Sequence, residues 1–240
     1  MRHTFETMGT VVSLEGVDDR TVEKVKSIFA AADSRFSLYR PESELARIAS
    51  GELAMMDSSV ELRTAYADAL AWSSLTSGAF SPNRPDGVVD LNGIVKAQAM
   101  QSAGGLIDSG GWREWSLNVG GDILIAGSTV QTTGIVDPFD RAKLLCAIEL
   151  RPPRAAVATS GSAERGDHIW LGGSTGPAEY VQVTVVAGDI VTADVLATAI
   201  VAGGRSGLDE ITERWDVDVL AVDRTGAMVA TPGIRESLAA

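Results

Sequence analysis

The sequence has a single cysteine, Cys146, so no disulfide can tie the chain to itself. Cys146 stands in an apolar run, KLLCAIEL, where a buried structural thiol is expected. Histidine is nearly as scarce: His3 and His168 are the two present, which excludes a metal centre built from several imidazoles. Basic residues are in deficit, 20 Lys and Arg against 32 Asp and Glu for a net charge of −12, and this argues against a nucleic acid as main partner. No apolar run approaches the ~20 residues of a membrane-spanning helix. The opening MRHTFETMGT holds neither an apolar leader segment nor a cysteine that would carry a lipid, so a cytoplasmic location is expected. A glycine-rich dinucleotide fingerprint, a P-loop, a nucleophile elbow and a metal-type cysteine cluster are all missing.

What is present is an ordinary globular composition, 45% hydrophobic and 22% charged, with no repeat and no linker-like stretch. One domain over 1–240 is expected. A strand is predicted at 10–15. Residues 18–37 carry apolar side chains at 22, 25, 28, 29 and 32, a helical stripe with acids at its start. Ser58 followed by Glu61 fits a capping box for a second helix, with Leu62, Ala65, Tyr66, Ala69 and Leu70 on one face and Gly78 as its stop. A third helix is predicted from Asn92 to about Ile107, capped by Asn92 or Gly93. Strands follow at 115–119, 122–127, 132–136, 144–150, 181–187 and 218–222, with helices at 193–203 and 207–214. The segment 157–169, VATSGSAERGDHI, reads as a polar connection between apolar segments. Strands joined by short turns, with helices before and after, predict an α+β fold.

Four stretches carry possible chemistry. In DLNGIVK (90–96), Lys96 falls in the first turn of a helix, where the dipole disfavours a cation by a few tenths of a kcal/mol. An anion bound at that helix start would reverse the sign, and a solvated lysine on an ordinary helix fits the spacing equally. In TADVLATA (192–199), Asp194 and Thr198 lie four apart and share a helix face, two hard oxygen donors of the kind Mg²⁺ takes; helix capping and a local hydroxyl bond are the alternative. In NVGGD (118–122), Gly120 and Gly121 permit either close backbone approach to a planar ligand or a tight hairpin. His168 titrates near neutrality and suits a general base, a Ser160–His168 pair included; a structural histidine is the alternative.

In their order, these pieces make the chain resemble the ApbE family, the FAD:protein FMN transferases, over nearly its full length. The matching stretches are MGT (8–10), RFSLYRPESELARI (35–48), SGAFSP (77–82), DLNGIVKAQAM (90–100), NVGGDILIAG (118–127), GIVDP (134–138), AVATSGSAER (156–165) with HI (168–169), VTVVA (183–187) and ADVLATAI (193–200). The resemblance implies an α+β fold related to the T-fold, with mixed sheets flanked by helices and an FAD site between them. It implies transfer of FMN from FAD to a Thr or Ser hydroxyl of an acceptor protein through a phosphoester, with Mg²⁺ and release of AMP. It also implies the site. Met8 would contact the flavin nucleotide, and Tyr39 would lie beside the adenine or ring system. Ala79, Phe80 and Ser81 would shape the FAD pocket, with Gly121, Asp122 and Ile169 among its contacts. Asp90 would hydrogen-bond the nucleotide and Lys96 would stand near the phosphates. The Gly93 carbonyl, Asp194 and Thr198 would hold the metal, and His168 would be the base toward the acceptor hydroxyl.

Three stretches depart from the family pattern. FSPN stands where FDPT is usual, so Ser81 replaces an acid; KAQ stands for lysine, glycine and an aromatic; and HIWLGG replaces HIDPRTG. The departures imply altered pocket loops, and two further activities resemble the family's: FAD binding without transfer, and hydrolysis of FAD to FMN and AMP. DRTGAM (223–228) is similar to the family's acceptor motif but one residue short, and reads as a turn between strands.

Overall fold

In the helix after Asp18, buried Val22, Val25, Phe29, Ala32 and Phe36 recur three or four apart, and this stripe docks it on a sheet. The computed structural model describes residues 1–161 and 178–239. Its strands are β1 (Arg2–Thr7), β2 (Thr10–Glu15), β3 (Trp115–Val119), β4 (Asp122–Ala126), β5 (Gln131–Val136), β6 (Leu144–Leu150), β7 (Ala156–Gly161), β8 (Tyr180–Ala187), β9 (Asp218–Asp223) and β10 (Met228–Ala230). Its α-helices are α1 (Asp19–Phe36), α2 (Glu44–Ala49), α3 (Val60–Leu75), α4 (Asn92–Ser109), α5 (Ile190–Arg214) and α6 (Pro232–Glu236). Among the described residues, eight strands form one sheet in the order β1-β2-β3-β4-β7-β8-β9-β10, and every pairing is antiparallel. The α+β class expected from the sequence is the class observed.

Strand alternation explains how the sheet is covered. Leu117 and Val119 of β3, Ala156 and Ala158 of β7, Val183 and Val185 of β8, and Val219 and Ala221 of β9 join the main core with α1, α4 and α5. Their neighbours Val157, Val186 and Leu220 point the other way, into a second core with Ile135, Ile148 and Leu150 of the β5–β6 hairpin and Ile234 of α6. The middle of the sheet is therefore buried on both faces. Cys146 lies half-buried against this second core, and burial pushes its thiol above the ordinary cysteine range. No helix among the described residues is long and apolar enough to cross a membrane.

Several boundaries differ from the sequence reading. Ser59, not Ser58, caps α3: its hydroxyl accepts from Leu62 N at 3.2 Å, while the Ser58 hydroxyl donates to Met55 O. The Ser59 N–H donates to Glu44 Oε2, so a carboxylate from α2 selects between the two serines. Leu91 occupies the cap position of α4, and Asp90 Oδ1 accepts the Asn92 N–H at 2.9 Å in place of a cap from Asn92 or Gly93. The start of the polar stretch at 157–169 is a strand, because β4 and β8 flank β7 and satisfy its backbone. The helices predicted at 193–203 and 207–214 are one element broken at Gly204 (φ 60°, ψ −146°), a backbone state in practice confined to glycine. Glu179 Oε2 accepts the Arg205 N–H at the break, and a Cβ at Gly204 would stand 2.7 Å from that oxygen. Residues 223–228 are the predicted turn, with Asp223 Oδ1 accepting from Thr225 N and Ala227 N.

Candidate active site

A cavity of about 1100 Å³ opens where the β1–β2 and β3–β4 turns meet the start of α4. Two tight hairpins form one wall. Met8 (φ 48°) and Gly9 (φ 70°) make the two-residue turn between Thr7 and Thr10, and Gly120 (φ 62°) and Gly121 (φ 100°) make the one between Val119 and Asp122. The hairpin reading of NVGGD is the one observed, and Gly120 lines the cavity. A non-glycine residue in the left-handed region is strained, and Met8 is one, on the cavity wall.

The opposite rim is the segment 36–40 after α1. Ser43, the N-cap of α2, donates its hydroxyl to Ser37 O and accepts the Ala46 N–H, which fixes this segment. Tyr39 is 80% exposed at the mouth. Arg40 Nε pairs with Asp33 at 2.8 Å. A third side comes from residues 79–84. Thr76 Oγ1 accepts the Phe80 N–H at 3.1 Å, and the Phe80 ring lies against Gly93, where a Cβ would stand 3.0 Å from Cε2. Ser81 Oγ accepts the Asn83 N–H at 3.1 Å. The hydroxyl thus shapes its own loop.

The floor is where the charge lies. Lys96, 9% exposed, ion-pairs through Nζ with Asp122 Oδ2 and stands 4.0 Å from Asp194 Oδ2. Both carboxylates are 2% exposed. Asp122 Oδ1 accepts the Thr159 N–H of β7 at 3.0 Å. Thr198, one turn beyond Asp194 on α5, has its hydroxyl 3.3 Å from Ser160 Oγ, and both hydroxyls face the cavity. Buried charge persists only when it is compensated, and this network compensates it.

The structure thus brings Met8, Tyr39, Ala79, Phe80, Ser81, Asp90, Gly93, Lys96 and Thr198 to one cavity. Asp122 and Asp194 lie beneath Lys96, and Gly121 is at the exposed tip of its turn. His168 and Ile169 lie outside the described residues. Sequence reasoning missed Arg40, Arg84 and Arg141, which also line the cavity, and gave Ser160 no place beside Thr198. Arginines in an acidic chain were visible, but nothing in their spacing joins positions 40, 84 and 141. The KAQ departure does not touch the cavity. Ala97 is in the main core, and Gln98 Nε2 donates to Asp68 of α3 at 3.0 Å.

No group of three or more His, Cys, Asp or Glu gathers as a metal cage among the described residues. The donors expected to hold a metal are the Asp194 carboxylate, the Thr198 hydroxyl with Ser160 beside it, and the backbone at Gly93. That set is too sparse for a closed protein cage but fits a hard cation that keeps waters and substrate oxygens.

The ApbE family model matches residues 8–85 and 82–221. This chain belongs to the ApbE family. Its ApbE fold superposes on solved structures end to end. The ApbE protein of Thermotoga maritima has a TM-score of 0.83 at 20% identity, with 100% of this chain and 99% of that one covered. The flavin transferase ApbE of Vibrio cholerae has a TM-score of 0.77 at 19% identity, covering 99% of both chains. The apo flavinyl transferase ApbE of Pseudomonas stutzeri has a TM-score of 0.79 at 20% identity, covering 99% of this chain and 96% of that one. A comparison with curated proteins gave no match. At these identities the structures establish the ApbE fold.

Proposed function

We propose that the chain, acting as a single domain, is a Mg²⁺-dependent FAD:protein FMN transferase. The acceptor Thr or Ser oxygen bonds to the phosphorus of the FMN half, the phosphoanhydride bond breaks, and AMP leaves with the bridging oxygen. The observation that carries this reading is the cavity floor: Lys96 and the Asp194–Thr198 pair meet beneath a wall that also holds Arg40, Arg84 and Arg141. Cations gathered in one cavity of a chain with net charge −12 suit a pyrophosphate. Membership of the ApbE family, and likeness to proteins named flavin transferases, support the same reaction class.

Met8, Tyr39 and Phe80 would hold FAD, and Asp90, with one oxygen committed to the start of α4, would take the nucleotide with the other. Asp194, Thr198 and the Gly93 carbonyl would hold Mg²⁺, with Ser160 beside Thr198. When bound there, the metal neutralises pyrophosphate charge and polarises the phosphorus under attack. Lys96 would lie beneath the phosphates as a fixed positive charge. His168 would take the proton from the acceptor hydroxyl, a role that suits a group titrating near neutrality.

The test is one chromatographic trace of FAD incubated with protein and Mg²⁺, with and without an acceptor domain, plus mass spectrometry of the acceptor. FMN mass on the acceptor and free AMP are expected. FMN and AMP released without acceptor would make the protein a pyrophosphatase, and intact FAD in both arms would make it a carrier. Ser81, an ordinary hydroxyl occupied by its own loop where the family has an acid, keeps those two outcomes in play.

Met8 gives a separate prediction. Met8→Gly removes left-handed strain of about 1–2 kcal/mol and should raise the melting temperature by a few degrees. It also removes the side chain from the cavity wall and should weaken FAD binding about fivefold to tenfold, read by fluorescence titration. Unchanged FAD affinity would take Met8 out of the site.

A further inference from the structure

Two non-glycine residues among those described hold a left-handed backbone: Met8, on the cavity wall, and Ser77, at φ 54°. Such a residue is strained and persists where its surroundings fix it. Ser77 follows α3 and begins the short loop whose Ala79, Phe80 and Ser81 line the cavity. The next three residues bond back to the end of α3. The Gly78 N–H donates to Ser73 O at 2.8 Å, the Ala79 N–H to Thr76 O at 2.9 Å, and the Phe80 N–H to Thr76 Oγ1 at 3.1 Å. Ser77 reaches a different element: its hydroxyl donates to Glu210 Oε1 of α5 at 3.2 Å. That helix runs close beside the loop, since a Cβ at Gly203 would stand 3.7 Å from the Ala79 Cβ. It also carries Thr198, on the cavity wall.

We propose that Glu210 is a positioning residue for the nucleotide pocket: through Ser77 it holds the strained turn, and so fixes the pocket loop against the helix that forms the other side of the cavity. The inference rests on the reading of this cavity as the FAD site. Glu210 lies beyond the break at Gly204, in the part of α5 whose start Glu179 holds by accepting the Arg205 N–H at 2.8 Å. Its Oε1 also accepts from Arg214 one turn on at 2.8 Å, an exposed pair that contributes little stability and orients the carboxylate. Strain and tie belong together here. The bond to Glu210 offsets the cost of a left-handed serine. Without it the turn relaxes toward a commoner backbone, and Ala79, Phe80 and Ser81 leave the places where they would meet FAD. Glycine at this position would take the same backbone freely and would need no tie.

Titration of the folded protein with FAD, followed by flavin fluorescence without metal, tests this. Ser77→Ala keeps the strain and loses the hydroxyl, and it should weaken FAD binding about threefold to tenfold. Glu210→Ala should do the same. In the Ser77→Ala background, Glu210→Ala should change the affinity by less than about twofold, since the two side chains act as one unit. Ser77→Gly loses the hydroxyl and the strain together, and should stay within about twofold of wild type. Glu210→Gln keeps an oxygen to accept from Ser77 and should also stay within about twofold.

A bond that serves stability alone would move only the melting temperature, so unchanged FAD affinity in Ser77→Ala and Glu210→Ala would overturn the proposal. Equal losses from Ser77→Gly and Ser77→Ala would also overturn it, because the hydroxyl would then act without reference to strain. So would a further loss from Glu210→Ala on top of Ser77→Ala, which would show the carboxylate working by another route. A wild-type protein that binds no FAD would overturn the reading of the cavity itself, and this inference with it. The failures are distinguishable: the first three need a wild type that binds, the last a wild type that does not.

Discussion

Asp194→Ala is expected to reduce FMN transfer by about 10²–10³-fold while leaving the protein folded. The side chain is 2% exposed, yet its removal is not a conventional core deletion. Lys96 keeps its direct ion pair with Asp122, so no cation is stranded. What is lost is the carboxylate one turn before Thr198, the part of the proposed donor set best suited to a hard cation. The expected signature is a fall in transfer to the acceptor, followed by mass spectrometry, with a melting temperature within a few degrees of wild type. FAD binding measured without metal should change little. Full activity in this variant would remove Asp194 from the metal site, and collapse of the fold would make it a structural carboxylate.

Gly120→Ala is the second substitution with a large expected effect, here on stability and site together. Gly120 has φ +62°, and a Cβ would lie 2.5 Å from Thr10 Oγ1 on the adjoining hairpin. Left-handed strain and the clash together should cost about 2–4 kcal/mol, a drop of about 5–12 °C in melting temperature. The two contributions can be separated. Thr10→Gly removes the atom that is struck but not the strain, so Gly120→Ala should cost about half as much in that background. An equal cost in both backgrounds would show that the contact between the hairpins is soft. Because Thr10 and Gly120 both line the cavity, FAD affinity should fall with stability in the single variant and partly recover in the double.

Much of the fold was legible where pattern and burial coincide. The stripe of α1 and the apolar alternation of β3, β6 and β8 are the cues that pack them, so sequence and structure agree to within a residue or two. The strands that escaped have other reasons to exist. β7 reads AVATSG, half small and polar, and is a strand because neighbours on both sides take its hydrogen bonds. β1 reads RHTFET, an edge strand whose alternation is muted because neither side of it is fully buried. The α3 cap shows the same limit at one residue: two adjacent serines are equivalent locally, and Glu44 from another helix decides between them. In the site, family motifs brought together nine residues that line one cavity. They gave Lys96 its neighbourhood but not its partner. That the lysine leans on Asp122 depends on how β4, α4 and α5 stack, which no local spacing encodes.

The order of these elements along the chain also bears on how the protein is made. Lys96, Asp122, Thr159, Asp194 and Thr198 leave the ribosome in that sequence, and the β5–β6 hairpin separates the two strands that hold Asp122 in place. At about 5–20 residues per second, roughly 5–20 s pass between synthesis of Lys96 and of Thr198. Until β7 is made Asp122 has no Thr159 N–H to accept, and until α5 is made the lysine lacks Asp194. The floor of the cavity is therefore complete only after α5 has been made and packs over the sheet.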